Sequence, residues 1–473
     1  MEFQIFIKSL KYRSRDFKLS TKEQYIKTMK YVIKSEVATK IIKNFSWMVS
    51  DKIFTMIVGV VVTAIVARYF GPESFGKFNY ALAFVSLFTA ISTLGLETLT
   101  VKSIVDKKYS EGVILCTSLF LRVIGGTILT ILTYLSIRLI APNDDDLHIL
   151  VLLMSLTMVM KSFEVIEYWI QAYQKAKISS IIRIGVYVIT ALLKVFLVFI
   201  KGSLVQYAVI YTLDAAIISG ALMVAYFKVR EEITPWKFSF RYAKYILSQS
   251  WYLILSGLMV TLYMRIDQVM LGAMMPTKTE VGVYSAAVRI AEMWYFVPMA
   301  IITSFRPVIM NNKNISEDKY LQSIQLLYTI VAWLGIGFGI AILIFSKPIV
   351  LLLYGADYLK AASILSVSVW AGTFAMLGSA RSIWLISEGL QSYTLLYTFV
   401  GLIVNIALNY LMIPIYGGFG AALATLVAQF SANIIALALF KKTRISSIMI
   451  LKSFSPKSIF QYKERVAKRI TNA

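Results

Sequence analysis

A single cysteine, Cys116, lies inside an apolar run, so no intrachain disulfide can form and the redox compartment is not written in the chain. Histidine is equally rare. His148 stands alone, which excludes a metal site built on His and Cys clusters. No metal and no cofactor is expected. Charge is scarce as well: 15% of the residues are Asp, Glu, Lys or Arg, against about 25% in soluble domains. Acidic residues are outnumbered, 25 against 48 Lys and Arg, for a net charge of +23. Such an excess invites a nucleic-acid partner. Here the Lys and Arg lie mainly in the tails and in alternate loops between apolar runs, not on one soluble face, so nucleic acid is excluded. Residues 1–44 are basic and only patchily apolar. They lack the short apolar core and small-residue cleavage site of a secretory leader. Their lysines and arginines, from Lys8 to Lys30, predict a cytoplasmic segment: a solvated tail or an amphipathic helix on anionic lipid.

What the chain has in abundance is apolar sequence. Hydrophobic residues make up 58%, aromatics 14%, and the mean hydropathy is +0.71. The reading is an all-α integral membrane protein. About 20 apolar residues cross a bilayer core as a helix. On that measure the segments 48–69, 79–98, 113–136, 148–170, 180–200, 205–227, 247–271, 282–305, 322–345, 361–384, 392–413 and 418–440 predict about twelve crossings. Arg122 falls inside the third and Arg381 interrupts the tenth. Lys and Arg concentrate in the tails and in the loops after even-numbered segments, while the opposite loop Asn143-Asp144-Asp145-Asp146 is acidic. By the positive-inside rule both termini are cytoplasmic.

The chain also repeats itself. Gly71, Gly76 and Phe78, around the first and second segments, match Gly272, Gly282 and Tyr284 around the seventh and eighth. The prediction is two six-helix lobes of the same orientation, 45–228 and 247–440, joined by a cytoplasmic linker at 229–246 that contains Pro235. A basic cytoplasmic tail, 441–473, follows. Two parallel lobes imply a cavity between them and rocking for alternating access. Pro298 and Pro307 predict a kink or an end in the eighth segment. Gly417, Gly418 and Gly420 read as a short outer turn and not as a phosphate loop.

Five stretches carry a resemblance. They are Arg68-Tyr69-Phe70-Gly71-Pro72-Glu73-Ser74-Phe75-Gly76; Glu167 to Lys175; Asp267 to Gly272 with Val281 to Tyr284; Leu353 to Tyr358; and Asn405 to Asn409 with Pro414 to Gly417 and Gly420 to Thr425. In order and spacing, over about residues 45–440, they resemble the O-antigen or oligosaccharide flippase branch of the multidrug/oligosaccharidyl-lipid/polysaccharide exporter superfamily. The resemblance implies flipping of an undecaprenyl-pyrophosphate-linked oligosaccharide across the bacterial inner membrane. The implied partners are that lipid-linked substrate and membrane lipids, with polysaccharide-assembly proteins as further candidates. A related family that flips the peptidoglycan lipid precursor usually has fourteen helices.

Charges at membrane depth are costly and face partners or wet cavities. Arg122, Lys161, Lys194, Arg265 and Arg289, with Lys52 near the inner mouth, are the candidate cavity cations for a pyrophosphate. Arg265 and Arg289, at similar depth on adjacent segments, are the leading pair. Asp267, Glu292 and Asp214 are the candidates for ion coupling. The competing reading is internal pairing: Arg289–Glu292 and Lys161–Glu164 at i,i+3, and Asp214 with Arg122 or Lys194. Lys194 has a third option, to snorkel outward. Arg265 and Asp267, at i,i+2, cannot face each other. A drug or small-solute exporter of the same fold would want an acidic or apolar cavity. A glycan polymerase or ligase would want a substantial outer domain with acid and base residues. The short outer loops here have neither paired carboxylates nor a Ser/His/Asp set, so no enzyme is expected.

Overall fold

In the computed structural model, residues 36–230 and 234–456 are described. Most of the basic amino-terminal segment (1–35), part of the linker (231–233) and the end of the basic tail (457–473) lie outside them. Among the described residues the fold is all-α. In chain order the helices are α1 (Glu36–Ser92), α2 (Leu96–Asp106), α3 (Glu111–Ile140), α4 (Asp145–Met160), α5 (Val165–Ala172), α6 (Ala176–Phe199) and α7 (Leu204–Val229). The second half of the chain adds α8 (Phe240–Met274), α9 (Thr279–Met293), α10 (Phe296–Lys313), α11 (Glu317–Tyr354), α12 (Ala361–Ser387), α13 (Ser392–Phe430), α14 (Ala436–Leu439) and α15 (Arg444–Ser453). A 3-10 turn, Lys161–Glu164, joins α4 to α5, and a π turn, Ser431–Ile435, joins α13 to α14.

Among the described residues, ten helices are long and apolar enough to cross a membrane. Two of them, Ser46–Asp106 with 61 residues and Ser392–Leu439 with 48, exceed what one crossing needs. Each is broken by a glycine in the left-handed region, Gly71 at φ 72° and Gly417 at φ 55°. The chain doubles back at these points. A β-carbon on Gly420 would stand 2.5 Å from the Met412 carbonyl oxygen, although residues 412 and 420 of a straight helix lie about 12 Å apart. Around Gly71, Tyr358 touches both arms, donating its hydroxyl to the Ala67 carbonyl at 2.9 Å and packing edge-on against Phe75.

Side-chain caps set several starts. Ser203 and Gln206 form a reciprocal capping box at α7, Asp144 accepts from Leu147 N at α4, and Ser239 accepts from Tyr242 N at α8. The eighth apolar segment breaks at Trp294–Tyr295, between α9 and α10. Pro298 then falls in the first turn of α10, where a missing N–H costs little. Pro307 lies inside α10 without ending it. The start of the predicted tail is not free: α15 packs on α11, with Tyr328 and Ser446 hydroxyls 2.9 Å apart and Gln325 donating to the Met449 carbonyl at 3.0 Å.

The apolar cores divide unevenly. One draws on both halves, from Val62 to Ile210 and from Leu271 to Ala422. A second lies between Leu96 and Ile246, and a third between Trp294 and Ile450. The halves thus share a core at the end where the chain turns at Gly71, Gly355 and Gly417, and keep separate cores away from it. At the shared end the two repeat glycines meet. A β-carbon on Gly76 would stand 1.8 Å from the Lys278 carbonyl oxygen and 2.9 Å from Gly282 N; one on Gly282 would stand 2.0 Å from the Pro72 carbonyl oxygen. Equivalent residues touch each other when a twofold axis passes between them. Arg68 of α1 closes the same end by donating to the carbonyls of Leu351, Leu352 and Leu353 of α11.

Candidate functional site

Arg289 sits on α9, yet its surroundings include the other half of the chain. A β-carbon on Gly59 of α1 would lie 2.7 Å from the Tyr187 hydroxyl of α6 and 3.4 Å from an Arg289 Nη. The bare glycine leaves room for both groups. The Arg289 charge also reaches Lys194, Tyr207 and Tyr354. Lys194, on α6, holds its ammonium 5.8 Å from the centre of the Tyr207 ring and feels Asp214 as well as Arg289. It therefore points along the protein rather than outward. Asp214 accepts from Thr190 Oγ1 at 2.7 Å. Two predicted cations and one predicted carboxylate thus share one neighbourhood at the junction of α1, α6, α7 and α9. Arg289 is exposed there, with no ion pair to any described residue.

The other predicted cations are placed elsewhere. Arg122 is 4% exposed inside the first half, where Nη1 donates to the Tyr168 hydroxyl at 2.9 Å. Its Nε is buried without a partner. Lys161 is half-buried in the 3-10 turn, and Lys52 is exposed beside Asp51. Arg265 is half-buried on α8, the helix that carries Asp267. The i,i+3 ion pairs of the competing reading do not form among the described residues. Arg289 reaches toward α1 and α6, whereas Glu292 faces the interior of the second half. Glu164 is taken by Arg183 of α6, 3.7 Å away, which also holds Glu167 at 3.4 Å.

Asp267 is a buried carboxylate, 3% exposed, at the junction of α8, α9 and α13. It accepts from Asn409 Nδ2 at 2.6 Å, Thr425 Oγ1 at 2.6 Å and the Tyr284 hydroxyl at 2.7 Å. Asn409 also donates to Asn405 Oδ1 at 3.2 Å, and its own Oδ1 is buried without a partner. The result is a cluster of carboxylate, amide and hydroxyl oxygens able to surround a proton or a small cation. Asp267 and Glu292 line one cavity of about 310 Å³ in the second half.

Reasoning from residue types missed Arg183, Asn409 and Thr425 as partners, and Arg381 as more than an interruption. Arg183 and Arg381 had a signal, since each is an arginine within an apolar segment. Asn409 and Thr425 had none in residue type, because a neutral polar residue in a membrane helix is common; their signal was membership of the stretches that carry the resemblance, which also hold Asp267 and Tyr284.

Known proteins resemble this chain over most of its length. The model of the family described as "Polysaccharide biosynthesis protein" matches residues 41–313, and the MatE model matches residues 253–411. The capsular polysaccharide biosynthesis protein CapF of Staphylococcus aureus is 22% identical over 401 residues, 83% of this chain and 97% of CapF. A probable low-salt glycan biosynthesis flippase, Agl15 of Haloferax volcanii, is 24% identical over 207 residues, 41% of each chain. Among solved structures, the lipid II flippase MurJ in an inward closed conformation superposes with a TM-score of 0.68 at 16% identity, covering 86% of this chain and 90% of MurJ. The chain shares this fold with MurJ and with a multidrug resistance MATE family transporter, and together with the family match and the flippase relative this accords with the expectation that it is not an enzyme. Since the first of these matches spans more than half of the sequence, this multi-pass membrane chain belongs to the polysaccharide biosynthesis protein family.

Proposed function

We propose that the chain is a flippase that carries a lipid-linked oligosaccharide, on an undecaprenyl-pyrophosphate carrier, across the bacterial inner membrane. The observation that carries this reading is Arg289, reaching from one half of the chain to the other beside Lys194. A guanidinium and an ammonium at one junction suit a diphosphate, which needs neutralising before it enters a low-dielectric space. The glycan would occupy the wet space, the polyprenyl tail would stay in lipid, and rocking of the halves would re-expose the head group. Asp267 would take up a proton or a cation during the cycle, with Glu292 and Asp214 as further candidates.

The test is transbilayer movement of a short-chain undecaprenyl-pyrophosphate oligosaccharide in reconstituted vesicles. Arg289→Ala and Lys194→Ala should each lower the rate by about tenfold or more, the worth of one charge-assisted hydrogen bond. Unchanged rates in both would return these cations to structural roles. No movement by the folded parent would favour the second reading, a drug or small-solute exporter, which the MatE match supports. A cationic dye should then be exported, although Arg289 and Lys194 repel it.

The same reading puts twelve crossings in the ten helices, two in each glycine-broken stretch, with both termini cytoplasmic. An epitope inserted after Asn143 should be reached by antibody from outside intact spheroplasts, and one after Ala473 only after lysis. The reverse pattern would overturn the orientation.

A further inference from the structure

The cavity in the second half carries more than the mechanism has used. Arg381, on α12, lines it, 4% exposed, with Nη1 donating to the Ala432 carbonyl at 3.2 Å. Ala432 belongs to the π turn between α13 and α14, where the regular carbonyl ladder is interrupted. The guanidinium has no carboxylate within ion-pair distance among the described residues. It rests against the Tyr397 ring, 4.9 Å from its centre. Three buried polar atoms on residues of this wall have no hydrogen-bond partner: Arg381 Nε, Tyr263 Oη and Ser368 Oγ. All three are potential donors, and a buried donor left unpaired costs about 1–3 kcal/mol. The cavity is reachable. Val260 and Met264 lie on its wall and are 47% and 50% exposed. They sit on α8, which packs against α1 of the first half.

Size and charge narrow the occupant. About 310 Å³ is the lower end of the range for ligand cavities, about 300–1,000 Å³, so it takes a single ring rather than a chain of them. Four tyrosines, Tyr263, Tyr284, Tyr295 and Tyr397, offer flat faces and hydroxyls. Arg381 is the one Lys or Arg on the wall and has no ion-pair partner among the described residues, whereas Asp267 is already held by three donors. The anion-binding point is therefore a single guanidinium; with Glu292 also on the wall it suits one negative charge at Arg381 and not a diphosphate. The position also matters. Val288 and Glu292 of α9 line the cavity, and Arg289 lies between them, turned toward the first half. The cavity is therefore one helix face away from the proposed diphosphate site.

We propose that this cavity is a subsite for one sugar ring bearing a single carboxylate, held by Arg381 through that carboxylate and by Tyr263 and Ser368 through ring hydroxyls. The proposal rests on the flippase reading and gives it a substrate class, an acidic glycan. Arg381 is a specificity-determining residue in this scheme, and Arg289 is not.

The test uses purified full-length protein in nanodiscs, titrated by calorimetry with sodium D-glucuronate, D-glucose, sodium chloride and sodium pyrophosphate at constant ionic strength. Glucuronate should bind saturably and at least about tenfold more tightly than glucose, as a charge-assisted contact requires. Arg381→Gln should abolish that preference, and Arg381→Lys should restore part of it. Ala375→Leu fills the cavity and keeps the guanidinium, so it should also weaken glucuronate; it guards against misfolding of the arginine variants. Pyrophosphate binding should survive both Arg381→Gln and Ala375→Leu and fall in Arg289→Ala. Equal binding of glucuronate and glucose, or full displacement of glucuronate by millimolar chloride, would overturn the acidic-sugar assignment. Loss of glucuronate binding with pyrophosphate binding intact in the parent would sink the subsite alone. Loss of both would sink the flippase reading with it.

Discussion

Asp267 is held by three donors, and each constrains what the residue can do. Tyr284, Asn409 and Thr425 all donate to it, so both carboxylate oxygens are engaged as acceptors. Asparagine at that position keeps the volume but has one acceptor oxygen where the carboxylate has two. With its NH2 toward Tyr284 and Thr425 those hydroxyls must accept instead of donate; with its NH2 toward Asn409 that amide must turn. We predict that Asp267→Asn folds and still exchanges substrate downhill, while uphill movement driven by a proton or sodium gradient falls at least about tenfold, the worth of a charged hydrogen bond. Gradient-driven movement equal to the parent's would remove Asp267 from coupling. At this scale the sequence was half legible. An aspartate two residues from an arginine in an apolar segment announced itself by its cost in lipid. Its partners did not. Asn409 and Thr425 lie far along the chain from it, and only the packing of α8 against α13 brings them to it. The i,i+3 rule likewise gave partners for Arg289 and Glu164 that tertiary contacts displaced: Arg289 turned toward Gly59, and Glu164 met Arg183.

Elements were easier to read than side chains, because helix length follows from bilayer thickness and helix ends from polar caps. The doubling back at Gly71 and Gly417 was legible, since an apolar run twice the needed length must turn, and a left-handed turn wants glycine. The break at Trp294–Tyr295 was not, since no residue there forbids a helix and the nearby prolines sit comfortably within α10. The π turn at Ser431–Ile435 has no signature in residue type either. The repeat glycines proved more informative than a turn signal. Gly76 and Gly282 place α1 and α9 backbone to backbone, and a methyl on either would fall about 2 Å from a carbonyl oxygen. No side-chain rotation relieves that clash; the helices must separate. Gly76→Ala should therefore bias the shared end toward opening. In a Cys116→Ser background, maleimide labelling of Ser74→Cys should rise in Gly76→Ala. Labelling of Lys107→Cys, on the loop after α2, should hold or fall. Equal labelling of Ser74→Cys with and without Gly76→Ala would show that the contact does not control access.

Across the whole molecule the uneven division of the cores sets the direction of any movement. A shared core at one end and separate cores away from it let the halves part most cheaply where they share least. To open the other end, the molecule must break the Gly76–Gly282 contact, the Arg68 bonds to α11, and the Glu73 carboxylate's bonds to Thr279 Oγ1 at 2.6 Å and Lys278 N at 3.3 Å. Burial on that face pushes the Lys278 ammonium down from its ordinary pKa, although Asp144 and Glu73 oppose the shift. These are a few directed polar contacts laid over close backbone packing, a closure that can be undone without exposing a large core. The prediction follows directly. In the Cys116→Ser background, Glu73→Cys and Thr279→Cys bridged by a short bis-methanethiosulfonate linker should tie the halves together and stop substrate movement in vesicles. Reduction of the linker should restore it. The control is a bridge within one half, Lys77→Cys with Asp144→Cys, at a pair now joined by an ion pair of 3.2 Å. That bridge should leave movement intact, because alternating access moves the halves against each other and not α1 against the start of α4. If the first bridge leaves movement unchanged, the halves do not part at this end during the cycle. If both bridges stop it, the cycle needs motion within a half, and rocking of two rigid bodies is the wrong description.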